Sequence, residues 1–342
     1  MTDHIYWKDG SLFLLDQRVL PFKKIYLQCK SVKDIVHAIK SMVVRGAPLI
    51  GIVAAYGVAL GIQEVIASKG RIKDSDIDKI CEKIGRSRPT AVNLFWALER
   101  MKNAFGQYKN KADMPDLMTD EAISIHVEDI ENNRMLSLFG SELIDDGDTI
   151  LTHCNAGALA MGGYGTALGV IRAAHESGKK IRVIATETRP YFQGARLTAW
   201  ELYEEGIDVE IVPDNHVGFL CYNKGIDKVI VGADRIALNG DTANKIGTYM
   251  NALCAYQYEI PFFVAAPVST FDRHIDNGTY IHIEERSGKE VMYIHRKPIT
   301  LDCIKARYYS FDITPARYIS NFITEKGIIE KPFKKYIKML FS

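Results

Sequence analysis

Apolar and polar positions change rhythm twice along this chain. Across residues 4–30, short β-rich pieces (Ile5-Tyr6-Trp7, Leu12-Phe13-Leu14-Leu15 and Ile25-Tyr26-Leu27) alternate with the turn signals Asp9-Gly10 and Asp16-Gln17. That pattern predicts a small antiparallel sheet. From Ser31 the apolar positions fall at Ile35, Ala38, Ile39 and Met42, a helical period, and Ser31-Val32-Lys33-Asp34 reads as a capping box with Asp in place of Glu. Further helices are expected over about residues 48–67, 74–84, 90–108 and 119–139.

After Asp145-Asp146-Gly147-Asp148 the texture changes to short apolar runs separated by helix-length segments. The runs are Thr149-Ile150-Leu151-Thr152, Ile181-Arg182-Val183-Ile184-Ala185, Val209-Glu210-Ile211-Val212, Lys228-Val229-Ile230-Val231 and Pro261-Phe262-Phe263-Val264-Ala265. Runs of this kind predict buried parallel strands, and their alternation with helices predicts a doubly wound sheet. The expected fold is α/β, with a mostly helical N-terminal domain and small antiparallel sheet over residues 1–140 and a parallel-sheet domain over 141–342.

In such sheets ligands bind outside the carboxyl ends of the strands. The residues that follow the runs are Cys154-Asn155-Ala156-Gly157, Thr186-Glu187-Thr188-Arg189, Pro213-Asp214-Asn215-His216, Gly232-Ala233-Asp234-Arg235 and Ala266-Pro267-Val268-Ser269. A thiol, three carboxylates, two arginines and a histidine therefore meet at one edge.

The length of 342 residues supports two domains, since single cores stop growing at roughly 250 residues. The 43 basic and 42 acidic residues nearly cancel, so no global field favours nucleic acid or an anionic membrane. Any anion must be bound by a local cluster. The six cysteines lack zinc-site or disulfide spacing, which fits reduced thiols in a cytoplasm. A polar start and the absence of an uninterrupted apolar stretch of about 18 residues lead us to expect neither secretion nor a membrane span. The sequon Asn277-Gly278-Thr279 is read as chance.

Cys154 ends a strand run and enters a small-residue stretch, residues 155–169, expected to begin a helix. A thiol near a helix N-terminus has a depressed pKa and serves as base or nucleophile. The other five cysteines, Cys29, Cys81, Cys221, Cys254 and Cys303, are read as buried structural residues. His153 should point to the opposite face of its strand, which argues against a Cys–His dyad. Asp234 beside Gly232-Ala233 fits two roles, a partly desolvated carboxylate for proton transfer or a helix N-cap.

Three short segments suggest a phosphate site. Arg45-Gly46-Ala47-Pro48 is a glycine turn entering a helix, Arg88-Pro89-Thr90 repeats the design, and Asn244-Lys245 adds a cation. Each alone is an ordinary cap or a solvated charge. The glycines at 163, 165 and 169, with Glu187 ending the next strand, invite a dinucleotide-binding reading, but they begin nine residues after Cys154 instead of directly after the strand. Asp214 and His216 make at most two ligands of a metal site.

Taken in order, these residues are similar to the motifs of the methylthioribose-1-phosphate isomerase family. That family shares a superfamily with ribose-1,5-bisphosphate isomerase and the regulatory subunits of the eukaryotic initiation-factor exchange complex. The resemblance also runs through Ala91-Val92-Asn93-Leu94, Glu187-Thr188-Arg189-Pro190, Gln193-Gly194-Ala195-Arg196-Leu197-Thr198-Ala199 and Phe311-Asp312-Ile313-Thr314-Pro315. It covers nearly the whole chain, and residues 232–249 together with the Cys154 segment match the isomerase branch. The resemblance implies a Rossmann-like C-terminal domain, a homodimer, a sugar-phosphate substrate and no metal or nucleotide cofactor. It also implies that Cys154 and Asp234 are catalytic and that Arg45, Gly46, Ala47, Arg88, Gln193, Asn244 and Lys245 bind substrate.

Two segments depart from the family pattern. Asp214-Asn215-His216-Val217-Gly218-Phe219 stands where Asp, a small polar residue, Met and Ala are usual, and Tyr308-Tyr309-Ser310 replaces Asn-Pro-Ala before Phe311. Both are candidate substrate-end elements. An isomerase of 5-deoxyribose 1-phosphate is therefore an alternative, with an NAD-dependent enzyme or a nucleotide-binding regulatory module as more distant ones.

Overall fold

Ser31 accepts a hydrogen bond from the Asp34 N–H at 3.2 Å in the computed structural model, which describes residues 3–89, 91–294 and 297–341. The Asp34 carboxylate reaches back to the Lys30 N–H at 3.0 Å, one residue beyond the usual box. Helix α1 follows over Val32–Lys40. The chain divides into two compact units. The first holds the chain up to Asn132 together with Ala158–Gly165, and the second holds Asn133–Gly157 and the chain from Thr166 onward.

In the first unit, β1 (Ile5–Lys8), β2 (Ser11–Leu15) and β3 (Tyr26–Cys29) form the expected antiparallel sheet in that order. Helices α2 (Ala47–Lys69), α3 (Asp74–Gly85), α4 (Val92–Tyr108) and α5 (Met114–Ser141) complete the helical part. Helix α2 is long and apolar enough to cross a membrane by length and composition alone, yet every residue from Leu49 to Ile62 is buried, as in a core helix. Helix α5 begins before the expected residue 119. Pro115 lies in its first turn, where a helix needs no donor, and Met114 and Met118 are buried in the core. The unit boundary after Asn132 falls within α5, and the expected boundary at residue 140 lies further along the same helix.

The second unit is built on a seven-stranded sheet in the order β18-β17-β10-β7-β4-β5-β6. Its members are β4 (Thr149–Thr152), β5 (Arg182–Thr186), β6 (Asp208–Val212), β7 (Lys228–Val231), β10 (Phe262–Ala265), β17 (Asn321–Thr324) and the antiparallel edge strand β18 (Gly327–Ile329). Alternate side chains enter two separate cores. Leu151, Val229, Val231, Phe262, Val264 and Phe322 pack with α8 (Val217–Tyr222), α9 (Thr248–Gln257) and α11 (Phe333–Met339). Ile150, Ile230, Phe263, Ala265 and Ile323 pack with the end of α5, α6 (Ala167–Glu176) and α7 (Ala199–Glu204). The sheet is therefore doubly wound, because a strand buried on both faces must find helices on both.

A second sheet in the order β11-β8-β9-β16 was not expected from the sequence. It comprises β8 (Arg235–Ala237), β9 (Thr242–Lys245), β11 (Phe271–Asp272) and β16 (Phe311–Thr314). Two small ladders, β12 (Glu285–Arg286) with β15 (Tyr308–Tyr309) and β13 (Tyr293–Ile294) with β14 (Lys297–Pro298), flank the short helix α10 (Lys289–Met292).

Candidate active site

Cys154 lies just beyond β4 with φ at +65°, a left-handed conformation that a side chain with a Cβ adopts only under constraint. Two threonines supply the constraint. The Cys154 N–H donates to the Thr188 hydroxyl at 2.9 Å, and the Thr198 hydroxyl donates to the Cys154 carbonyl at 2.6 Å. The expected helix does not begin here. A short 3₁₀ turn at Ala158–Ala160 follows, and α6 starts only at Ala167, because the intervening chain is drawn into the first unit. The thiol is therefore not placed at a helix N-terminus. The glycines at 163 and 165 form no dinucleotide turn after β4, since they too lie in that excursion.

Asn155 extends the same anchor. Its amide donates to the Thr198 hydroxyl at 3.1 Å and to Glu201 at 2.8 Å, and the buried Arg172 lies 3.6 Å from Glu201 and 2.6 Å from Glu205. His153 faces away from the thiol. Its Nε2 lies 2.9 Å from the Ile246 carbonyl and its Nδ1 2.6 Å from the Thr186 hydroxyl, so the partners assign a proton to Nε2 and leave Nδ1 as acceptor. Burial holds this imidazole below its ordinary pKa. Both ring nitrogens are engaged, and no Cys–His dyad forms.

The loop after β7 runs beside the Cys154 loop. A Cβ built on Gly232 would stand 2.6 Å from the Ala156 Cβ, so only glycine allows this approach. Asp234 follows, half-buried, with its N–H donating to the Ala243 carbonyl at 2.9 Å. A strand, β8, succeeds it, so Asp234 caps no helix.

Asn244 and Lys245 end β9. Asn244 donates to the Thr248 hydroxyl at 3.1 Å, and the Lys245 ammonium stands 4.6 Å from the centre of the Phe311 ring. Opposite them on β16, Asp312 accepts from the N–H groups of Gly247 at 2.7 Å and Tyr249 at 3.1 Å, holding the first turn of α9. Burial pushes the Asp312 carboxyl up to about 6, against the downward pull of those amides and of Lys245.

Gln193 is brought in by the chain after β5. Gly194 packs so tightly on Thr186 that a Cβ there would meet the Thr186 carbonyl oxygen at 1.7 Å, and a single wide helical turn, Gly194–Thr198, leads into α7. The buried Gln193 side-chain oxygen has no hydrogen-bond partner among the described residues. Asp214 accepts from the N–H groups of Thr188 and Arg189, each at 2.7 Å, and so shapes this loop. Among the described residues, no group of three or more His, Cys, Asp or Glu side chains is arranged to hold a metal ion.

Arg45, Gly46, Ala47 and Arg88 belong to the first unit. Gly46 has φ at +102°, and a Cβ on it would meet the Ala160 carbonyl oxygen at 2.5 Å. Ala47 opens α2 with Pro48 in its first turn. Arg88 is half-buried ahead of α4, whose first residue is Val92, and Thr90 lies outside the described residues. Cys154, Gln193, Asp234, Asn244 and Lys245 belong to the second unit.

Of the remaining cysteines, Cys29, Cys81 and Cys221 are buried as expected. Burial pushes the Cys29 thiol up to about 12 and those of Cys81 and Cys221 up to about 11. Cys254 is half-buried and Cys303 is exposed, contrary to expectation, because the segment around Cys303 lies outside the sheet core. The structure also adds Thr188, Thr198 and Asp312, which hold the backbone on which the candidate groups stand. Sequence reading passed over them, although all three lie within motifs that carry the resemblance.

The fold and these motifs define the class: residues 43–331 match the model of the initiation factor 2 subunit family, and the chain belongs to that family. Its relatives carry two kinds of description. A curated methylthioribose-1-phosphate isomerase of Thermotoga neapolitana is 51% identical over 341 residues, covering 100% of this chain and 98% of that protein. The solved 5-methylthioribose 1-phosphate isomerase of Pyrococcus horikoshii superposes with a TM-score of 0.93 at 40% identity, covering 100% of this chain and 96% of that one. A solved A. fulgidus chain described as subunit delta of the translation initiation factor eIF-2B superposes with a TM-score of 0.88 at 41% identity, covering 99% and 100%.

Proposed function

We propose that this chain is an aldose–ketose isomerase that converts 5-methylthioribose 1-phosphate to 5-methylthioribulose 1-phosphate, with Cys154 and Asp234 as its proton-transfer pair. The observation that carries the reading is the 51% identity over essentially the whole chain to an isomerase of that name. The A. fulgidus chain is described as an initiation-factor subunit, and its 41% identity is below the 51% of the curated isomerase.

The chemistry asks for the parts present. Moving a carbonyl from C1 to C2 takes a proton from C2, delivers one to C1 and shuttles protons between the oxygens. A sugar phosphorylated on its anomeric oxygen must be opened with the phosphate still attached. Two titratable groups on neighbouring loops suit that task, one for carbon and one for oxygen. In this reading Cys154 serves the carbon-bound proton and Asp234 the ring oxygen. By resemblance, the substrate-binding residues are Arg45, Gly46, Ala47 and Arg88 of the first unit and Gln193, Asn244 and Lys245 of the second, without a cofactor. The protein works in the cytoplasm as a homodimer. The exposed aromatic side chains of Phe219, Tyr222, Tyr256 and Tyr258, on α8 and at the end of α9, support the dimer as a surface a second copy would cover.

The test is kcat/KM on one preparation for the 1-phosphates of 5-methylthioribose, 5-deoxyribose and ribose. We expect the first two within about two orders of magnitude of each other, because a hydrophobic pocket separates small apolar differences by only about 1–3 kcal/mol, and ribose 1-phosphate far behind. Preference for ribose 1-phosphate or its 5-phosphorylated form would overturn the assignment.

A further inference from the structure

Tyr308 and Ser310 stand in the segment that departs from the family pattern, and both carry hydroxyls hidden inside the second unit with no hydrogen-bond partner among the described residues. Tyr308 is 5% exposed and Ser310 2%. Buried polar atoms are nearly always bonded, so two such hydroxyls two residues apart call for a group that the described residues do not supply. The polar neighbours of Tyr308 are already engaged with one another. Arg286 pairs with Glu290 at 2.7 Å and donates to the Tyr191 hydroxyl at 3.3 Å. Burial pushes the Tyr308 phenol up, and a charge on Cys154 would act in the same direction. The phenol is therefore protonated and available as a donor.

The position of the segment is equally telling. Tyr308 pairs with Arg286 in the ladder of β15 and β12. The Ser310 carbonyl accepts from the Ile246 N–H at 3.1 Å, and Phe311 and Asp312 lie opposite Lys245 and Asn244. The chain thus passes from the ladder with Arg286, through Ser310, to the strand opposite Lys245 and Asn244. Tyr308 and Ser310 are both buried, whereas Tyr309 between them is exposed.

We propose that Tyr308 and Ser310 are substrate-recognition residues of this site, their hydroxyls bonding hydroxyl groups of the pentose beside the carbons that Cys154 serves. The proposal rests on the isomerase reading above. A site built to bond a sugar hydroxyl loses affinity when its donor is removed, whereas removing an unpartnered hydroxyl costs the empty protein little.

The test measures kcat/KM with 5-methylthioribose 1-phosphate and the melting temperature with and without the product ketose phosphate, for wild type, Tyr308→Phe and Ser310→Ala. We expect Tyr308→Phe to lower kcat/KM by about 5- to 100-fold and Ser310→Ala by about 3- to 30-fold, the range for a lost hydrogen bond. Ligand-free melting should stay at or above wild type, with a smaller rise on ligand addition. An active wild type whose two variants keep full kcat/KM overturns the proposal alone, and a lowered ligand-free melting temperature with unchanged kinetics assigns these side chains to packing and overturns it likewise. A wild type that isomerises no 1-phosphopentose overturns the isomerase reading itself, and the proposal with it.

Discussion

The Thr198 hydroxyl donates to the Cys154 carbonyl at 2.6 Å while accepting from the Asn155 amide at 3.1 Å. One side chain thus holds both residues of the turn that carries the candidate proton-transfer thiol. Thr198→Val keeps the shape and removes both bonds. It should destabilise the protein by about 1–3 kcal/mol and lower kcat more than tenfold, because small misplacements of a reacting group cost rate steeply. Urea unfolding and steady-state kinetics on the same variant check both parts, and a variant that loses stability but keeps kcat would free the turn from any role in catalysis.

Cys154→Ser and Asp234→Asn each replace a proton-transfer group by a near-isostere. Each should reduce kcat by about 10²-fold or more with the melting temperature close to wild type. Near-normal turnover by Cys154→Ser would remove the thiol from the mechanism.

Gly232→Ala tests whether the two loops must touch. The added methyl would press on Ala156, 2.6 Å away at its Cβ, and push the Asp234 loop from the Cys154 loop. A fall in kcat with KM little changed is the expected outcome, since the transition state needs both groups at once. Unchanged kcat would show that the loops can part without consequence.

Asp312 gives the site a pH signature with a definite sign. Its carboxyl is pushed from 3.8 up to about 6 in the folded protein, so the native state binds its proton more tightly than the unfolded chain does. Stability from this group is complete below about pH 4 and declines as pH rises through about 6, by about 3 kcal/mol in all. Carboxylates held low by arginines, such as Asp16 and Glu128, act in the opposite sense. The measurement is therefore a difference. Between pH 4.5 and 7.5, wild type should lose stability relative to Asp312→Asn, and parallel curves would show that Asp312 titrates at an ordinary carboxylate pH.

Much of the central sheet was legible because strands buried on both faces write themselves as unbroken apolar runs. Lys228–Val231 and Phe262–Ala265 are wholly buried in the structure. The second sheet was not legible, since strands as short as Arg235–Ala237 and Phe271–Asp272 leave no period to read. Asp234 could be read as an N-cap only because the strand that follows it was invisible. The setting of Cys154 was hidden for a different reason: its anchors lie 34 and 44 residues away along the chain, and no local pattern announces a threonine that folds back onto a thiol's own backbone. Gln193 was reached through resemblance alone, although Gly194, forced against the Thr186 carbonyl, is the physical mark of a tight approach there.

The excursion of Ala158–Gly165 has a bearing on how the protein is made. The first unit is closed by backbone groups that come late in the chain. His4 bonds the Met161 carbonyl at 2.8 Å, Gln17 the Leu159 carbonyl at 2.6 Å, His126 the Gly162 carbonyl at 2.9 Å and Asp129 the Gly162 N–H at 2.7 Å. A nascent chain that has just released Asn132 from the ribosome carries all the helices of that unit but none of these closing groups. The N-terminal part must therefore wait, incompletely sealed, until the first strand of the central sheet has been synthesised and the chain has passed beyond it.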